Sequence, residues 1–233
     1  FDVALAIASK LLERSPKDPG GLVLRGDAHM RAKNFQGAVE AYTAGLELAR
    51  SPQLILKLYG ATLAIKKPGE ARALLVDWLK ENPDDPQIRL ALASVDQSKG
   101  EGNVAAANYE KVLTAAPNNV VALNNLAWIY FDSGDERALG LAERAYELAP
   151  RVPAVADTYG WFLLQVGKLE QGLAILERAA KADPQQMEIQ YHLAVALVEA
   201  GVRKRARKIL TKVIASSFEF SARAEAERLH KAL

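Results

Sequence analysis

The 233-residue chain is 50% hydrophobic and 25% charged, carries 30 Lys and Arg against 28 Asp and Glu for a net charge of +2, and contains no cysteine. The missing thiols exclude disulfides, thiolate metal sites and cysteine nucleophiles, and leave the compartment open, because such a chain suits a reducing cytosol and an oxidising periplasm alike. The balanced charge argues against a chain built mainly to hold nucleic acid or an anionic membrane, and no run approaches the roughly 18 apolar residues that span a bilayer.

In chain order, the apolar pattern predicts a first helix over 2–14, stopping before Pro16. Phe1 already falls inside that pattern, so the native start is expected upstream, where a signal peptide or lipid anchor has room. Helix pairs are then expected over 19–50, 53–83, 86–117, 120–150, 153–184 and 187–218, and a charged helix over 221–233. Pro83, Pro117, Pro150 and Pro184 set the frame, at intervals of 34, 33 and 34 residues. A fixed period of that size marks a helical repeat array, in which each unit buries its face only against neighbours.

Aligned on the prolines, every unit has small residues at matching places, such as Gly26, Ala38 and Gly45 in the first pair and Gly160, Gly172 and Ala179 in the fifth. Two helices cross closely only where such positions lack bulk, with Leu and aromatic residues filling the space around them. Gly60 and Ala145 are assigned the same role. The second and fourth units are one residue short, and the missing residue is placed in the turns Lys66-Lys67-Pro68-Gly69 and Ser133-Gly134-Asp135. Within pairs, Lys33-Asn34, Val166-Gly167-Lys168 and Ala200-Gly201 supply residues for a positive-φ helix end. Between pairs, the loop containing Asp84 and Asp85 and the run Pro117-Asn118-Asn119 supply stops and caps. The last helix, with Arg223, Glu225, Glu227, Arg228 and Lys231 on its wet side, is expected to cover the apolar end of the sixth pair.

Period, small positions and turns together resemble the tetratricopeptide repeat family over essentially the whole chain. The resemblance implies an all-α, right-handed superhelix of about six repeats, with a leading partial repeat over 1–16 and a C-terminal capping helix. It also implies a non-catalytic scaffold that binds a protein or peptide segment in its concave groove. Leu123-Asn124-Asn125-Leu126-Ala127-Trp128, followed one repeat later by Asp157-Thr158-Tyr159-Gly160-Trp161, resembles the C-terminal repeats of bacterial envelope members, those of exopolysaccharide and PEP-CTERM sorting systems above all. That implies an assembly, secretion or envelope setting, periplasmic or outer-membrane-associated. The alternative is a structural part of an exopolysaccharide export machine that touches polysaccharide or an outer-membrane protein.

In this family the first helix of each repeat lines the groove through its positions 2, 5, 9, 12 and 13. Carried over, these give Lys57, Ala61 and Ala64 in the second repeat, and Ser94 and Gln97 among others in the third. The fourth to sixth repeats give the cluster of interest: Trp128, Phe131, Trp161 and Tyr191, flanked by Asn124, Asp132 and Asp157. Aromatics beside amides and carboxylates serve a peptide groove as anchors and backbone hydrogen-bonding groups. The same residues have structural readings. Trp128 and Trp161 share one repeat position and would equally pack one repeat on the next, and Asp157 would serve the first turn of its helix. The Lys, Arg and Asn set with which one subclass grips a terminal carboxylate is absent, so neutral, apolar or basic segments fit better than an acidic tail.

Two other features bear on function. From Gly201 onward nine Lys and Arg face three Glu, a local +6 that leaves −4 for the rest, and the run Arg203-Lys204-Arg205-Ala206-Arg207-Lys208 with Lys212 falls on an outer helix. Such a run binds anionic polymers, or is simply a solvated face; a reader of nucleic acid would need cations and stacking platforms along the groove as well. His29, His192 and His230 are far apart, and no metal, nucleophile or phosphate-loop motif occurs, so no enzyme activity, cofactor or metal is expected. His192 reads as a satisfied core or rim residue. Oligomeric state is left open by the sequence.

Overall fold

Helix ends in this chain are written in its caps and turns. The computed structural model describes residues 2–217 and 220–233; the expected helical setting of Phe1 and the end of the sixth repeat at Phe218 lie outside them. Among the described residues there are fourteen α-helices and no strand. The side chains of Asn34, Ser51, Asp85 and Asn119 accept hydrogen bonds from backbone amides two or three residues on, which satisfies donors that a helix start leaves unpaired. Pro52, Pro68, Pro86 and Pro153 stand at first helical positions, where a missing N–H costs nothing. Six helices end at a residue of positive φ: Lys33, Lys66, Gly100, Gly134, Gly167 and Gly201.

The contacts divide the chain into two compact halves, Phe1–Pro117 and Asn118–Leu233. The first contains α1 (Asp2–Arg14), α2 (Gly20–Arg31), α3 (Phe35–Leu48), α4 (Pro52–Ala64), α5 (Pro68–Glu81), α6 (Pro86–Ser98) and α7 (Gly102–Ala115). Each packs on its neighbour in sequence, and α4 also touches α6. Gly26 lets α2 meet α3: a Cβ there would overlap the ring of the fully buried Tyr42. The Tyr42 hydroxyl donates to Asp27, which also accepts from Lys57, each at 2.6 Å. Burial first, then the Asp27 carboxylate, pushes the Tyr42 phenol far above its ordinary pKa. Two helix pairs later, the buried Asp96 is held by Arg72 and Asn108.

One register differs from the sequence reading. The residue missing from the second repeat is absent not from the turn at Lys66 but from the connector before α4, where Ala49, Arg50 and Ser51 take the place of the four-residue connectors 82–85 and 116–119. Ser51 caps α4 directly, so no proline-containing loop is needed. The helix therefore starts at Pro52, and Leu54 is the residue equivalent to the buried Ile88. The carried-over groove positions move with it. Ala61 is fully buried and cannot line a groove; Leu56, Gly60 and Leu63 take those places. Gly60 is then no packing glycine, since a Cβ on it would meet nothing within 4 Å.

The second half contains α8 (Val120–Asp132), α9 (Arg137–Leu148), α10 (Pro153–Gln165), α11 (Leu169–Ala182), α12 (Met187–Glu199), α13 (Arg203–Ala215) and α14 (Arg223–Ala232). The turn between α8 and α9 is one residue short, as its sequence suggests: Gly134 precedes the buried Ala138 by four residues, whereas Gly167 precedes the buried Gly172 by five. α10 and α11 approach through facing glycines. A Cβ on Gly172 would stand 2.7 Å from the Gly160 carbonyl oxygen, and one on Gly160 would stand 2.9 Å from Leu176 Cγ. The main core joins Leu163, Leu176, Leu193 and Leu197. At the C-terminal end Ala226, Leu229 and Leu233 of the last segment cover Met187, Leu210 and Val213. Arg223 is not a wet-side residue as expected: it donates to the carbonyls of Ile214 and Ser216 at 3.0 and 2.7 Å, closing the end of α13 whose last carbonyls lack helical partners.

Candidate partner-binding groove

In the second half α10 touches both α8 and α12, so three first-of-pair helices lie side by side. Their shared face holds a groove of about 580 Å³ lined by Asn124, Trp128 and Asp132 of α8, Asp157 and Thr158 of α10, and Glu188 of α12. At its floor Asp157, 5% exposed, accepts from the Nδ1–H of His192, 3% exposed, which lies 2.9 Å from both carboxylate oxygens. The imidazole stacks on the ring of Trp161 at 4.2 Å between centroids and lies nearly parallel to Trp128 at 6.3 Å. Trp128, half-buried, donates its indole N–H to Thr158 Oγ1 at 2.9 Å, and that hydroxyl donates to the Ala154 carbonyl. The indole wall of the groove is thus tethered to α10 through the Thr158 hydroxyl.

Asn124 differs from its neighbours. Its Oδ1 is buried and, among the described residues, has no hydrogen-bond partner. Its amide nitrogen reaches only Asn125 Oδ1, at 3.5 Å. An acceptor left buried and unpaired costs about 1–3 kcal/mol, and structures rarely keep one without a use. Beside it Asp132 is exposed, and Glu188 accepts from Ser221 at 2.6 Å. The groove therefore presents acceptors and negative charge along an indole wall.

Of the residues expected from sequence, the structure brings Asn124, Trp128, Asp132 and Asp157 to this groove, and leaves Phe131, Trp161 and Tyr191 outside its lining. Phe131 stacks on Phe162 at 4.3 Å and meets the edge of Trp128. Tyr191 neighbours Phe220, and burial, with Glu225 adding, raises its phenol above the ordinary pKa. Asp157 does not serve the first turn of α10; its oxygens are engaged by a side chain one repeat later. His192 is the satisfied core residue that the sequence suggested. Thr158 and Gln186 line the groove without having been singled out. A threonine following Asp157 carries no sign in sequence that its hydroxyl would catch an indole 30 positions earlier.

His29 and His230 lie elsewhere, against Asn34 and Thr211. Among the described residues no group of three or more His, Asp or Glu is placed to hold a metal ion, and no helix is long and apolar enough to cross a membrane.

Paired helices closed by positive-φ turns, with the first helices of three successive pairs lying side by side in the second half, define a tetratricopeptide-type array. Models of the tetratricopeptide repeat match residues 28–217 and 1–54, and the chain belongs to that family. A TPR repeat-containing protein of Pseudomonas aeruginosa is 27% identical over 167 residues, covering 67% of this chain and 28% of the relative. Cellulose synthase operon protein C of Pseudomonas fluorescens is 29% identical over 160 residues, covering 64% of this chain and 12% of its own length. The chain thus spans less than a third of either relative. A tetratricopeptide repeat protein from Parabacteroides merdae superposes with a TM-score of 0.71 at 16% identity, over 92% of this chain and 86% of that one, a likeness of fold alone. The fold is generally a scaffold for protein–protein interaction.

Proposed function

We propose that this chain is a non-catalytic scaffold that binds an extended segment of a partner protein in the groove of α8, α10 and α12. The observation that carries the reading is the unpaired, buried Asn124 Oδ1 beside the fixed indole of Trp128. A turn of the Asn124 side chain brings Oδ1 to the groove surface, where a backbone N–H of a bound segment supplies the donor that the free protein lacks, and the indole supplies an apolar face for a side chain. Asp132 and Glu188 favour neutral or basic segments over acidic ones.

The test is selection of linear peptides from a random display library against the whole chain, with affinities measured by fluorescence anisotropy. Asn124→Ala weakens the selected peptides by about tenfold or more, the scale of one buried hydrogen bond, with a thermal midpoint within about 2 °C of the parent. Equal affinity in the variant contradicts the reading.

A bacterial envelope setting, periplasmic or outer-membrane-associated, is supported by the relative named for a cellulose synthase operon. It extends to exopolysaccharide or PEP-CTERM sorting systems through the two Asn- and Trp-containing phrases of the fourth and fifth repeats. Within that setting a second reading has the Trp128 face stack on sugar rings. Titration with oligosaccharides separates the two: saturable shifts of the Trp128 indole resonance favour glycan contact, and their absence favours the peptide.

A further inference from the structure

We propose a second, independent site on the opposite helices of the same half: a crevice that takes an apolar side chain of a partner protein segment flanked by carboxylates. The crevice, about 550 Å³, opens between α11, the start of α12 and α13. Its floor is apolar, with Met187, Leu193 and Val213 buried and Ile209 half-buried. Its rim is cationic. Lys181, Lys208 and Lys212 line it with no ion-pair or hydrogen-bond partner among the described residues, whereas Arg205 is held by Glu177 on α11. With Glu177 the single acid of the lining, four cations against one anion leave +3 around an apolar cavity.

That combination selects the ligand. A cavity of a few hundred Å³ with an apolar floor and a few placed charges is the ordinary form of a specific site, and burying an aliphatic or aromatic side chain on that floor is favourable in itself. A polyanion held by counterion release needs cations on an open surface and gains nothing from the floor. Ammonium groups around an apolar centre match an apolar residue with Asp or Glu on either side. The similar crevice one repeat earlier, about 400 Å³, is a weaker candidate because Arg151 and Arg178 are the only cations lining it, and Arg178 donates to the Ala174 carbonyl and lies 6.0 Å over the Tyr146 ring. Arg205, Lys208 and Lys212 of the basic run thus wall a site, while Arg203, Lys204 and Arg207 lie outside its lining and are exposed.

The probe is a fluorescein-labelled synthetic peptide with Leu-Phe at its centre and Glu and Asp on both sides, followed by anisotropy with the whole chain. Saturable binding is expected, weakened about tenfold or more by Lys208→Glu with Lys212→Glu, and to a similar degree when the central Leu-Phe becomes Ser-Ser. The milder pair Lys208→Gln with Lys212→Gln, checked by circular dichroism, gives the same direction should the charge reversals disturb the fold. Asn124→Ala leaves this affinity unchanged, which separates the site from the groove. Absence of saturation, affinity unmoved by the lysine changes, or binding by polyglutamate or heparin as tight as by the peptide overturns the proposal, the last by showing a polyanion surface instead.

Discussion

Asn124 and Asp157 both line the groove, yet opposite consequences follow from what surrounds their polar atoms. The Asp157 carboxylate is the acceptor for a buried imidazole N–H, so Asp157→Ala strands a donor in the core. The expected cost is about 1–3 kcal/mol, read as a fall of several degrees in the thermal midpoint. Asn124→Ala instead removes an acceptor that is already unpaired, and the midpoint is expected to hold or rise. A large loss of stability in Asn124→Ala would show that the amide does structural work. The glycines divide in the same way. Gly172→Ala drives a methyl into the Gly160 backbone and is expected to cost about 1–3 kcal/mol, whereas Gly60→Ala meets open space and gains up to about 1 kcal/mol of helix propensity; chemical denaturation of the two variants checks both signs. Gly160, Gly172 and Trp128 were legible in sequence because repetition marks their places. The partner of the Trp128 indole was not, since contacts between residues 30 apart depend on a rotamer rather than on a pattern.

At the scale of elements, a short list of local signals positions the helices. Proline at a first helical position, a polar cap and a positive-φ turn recur, and they were readable as such. The second repeat shows where reading by period fails. One missing residue shifts the frame wherever it is placed, and only the connector 49–51 reveals that it was lost ahead of α4. The shift exchanges Lys57 and Ala61 for Leu56 and Gly60 on the groove face. Lys66 then occupies the same turn place as Gly167 and Gly201, at φ 61°. A side chain in that region costs about 1–2 kcal/mol that glycine does not incur, so Lys66→Gly is expected to stabilise the chain by about 1 kcal/mol, offset in part by the greater freedom of the unfolded glycine. A fall in the denaturation midpoint would mean that the Lys66 side chain makes up the strain. The Arg223 contact with the end of α13 was missed for a related reason: a charged helical pattern reports which side is polar, and not whether a neighbouring helix needs its last carbonyls filled.

For the whole molecule, the class was plain from sequence and the ligand was not, because the residues that repeat are those that pack. The proposed binding chemistry lies in what varies between repeats: acceptors and an indole along α8, α10 and α12, and lysines over an apolar crevice between α11 and α13. The central claim is that the groove completes Asn124 with a donor from a partner segment. The most direct measurement is a titration of the ¹⁵N-labelled chain with the tightest library-selected peptide, following the Asn124 side-chain amide and the Trp128 indole. Saturable shifts of both resonances are expected, with binding weakened about tenfold or more in Asn124→Ala. Saturable binding that leaves both resonances unmoved, or survives that substitution at full strength, would contradict the claim.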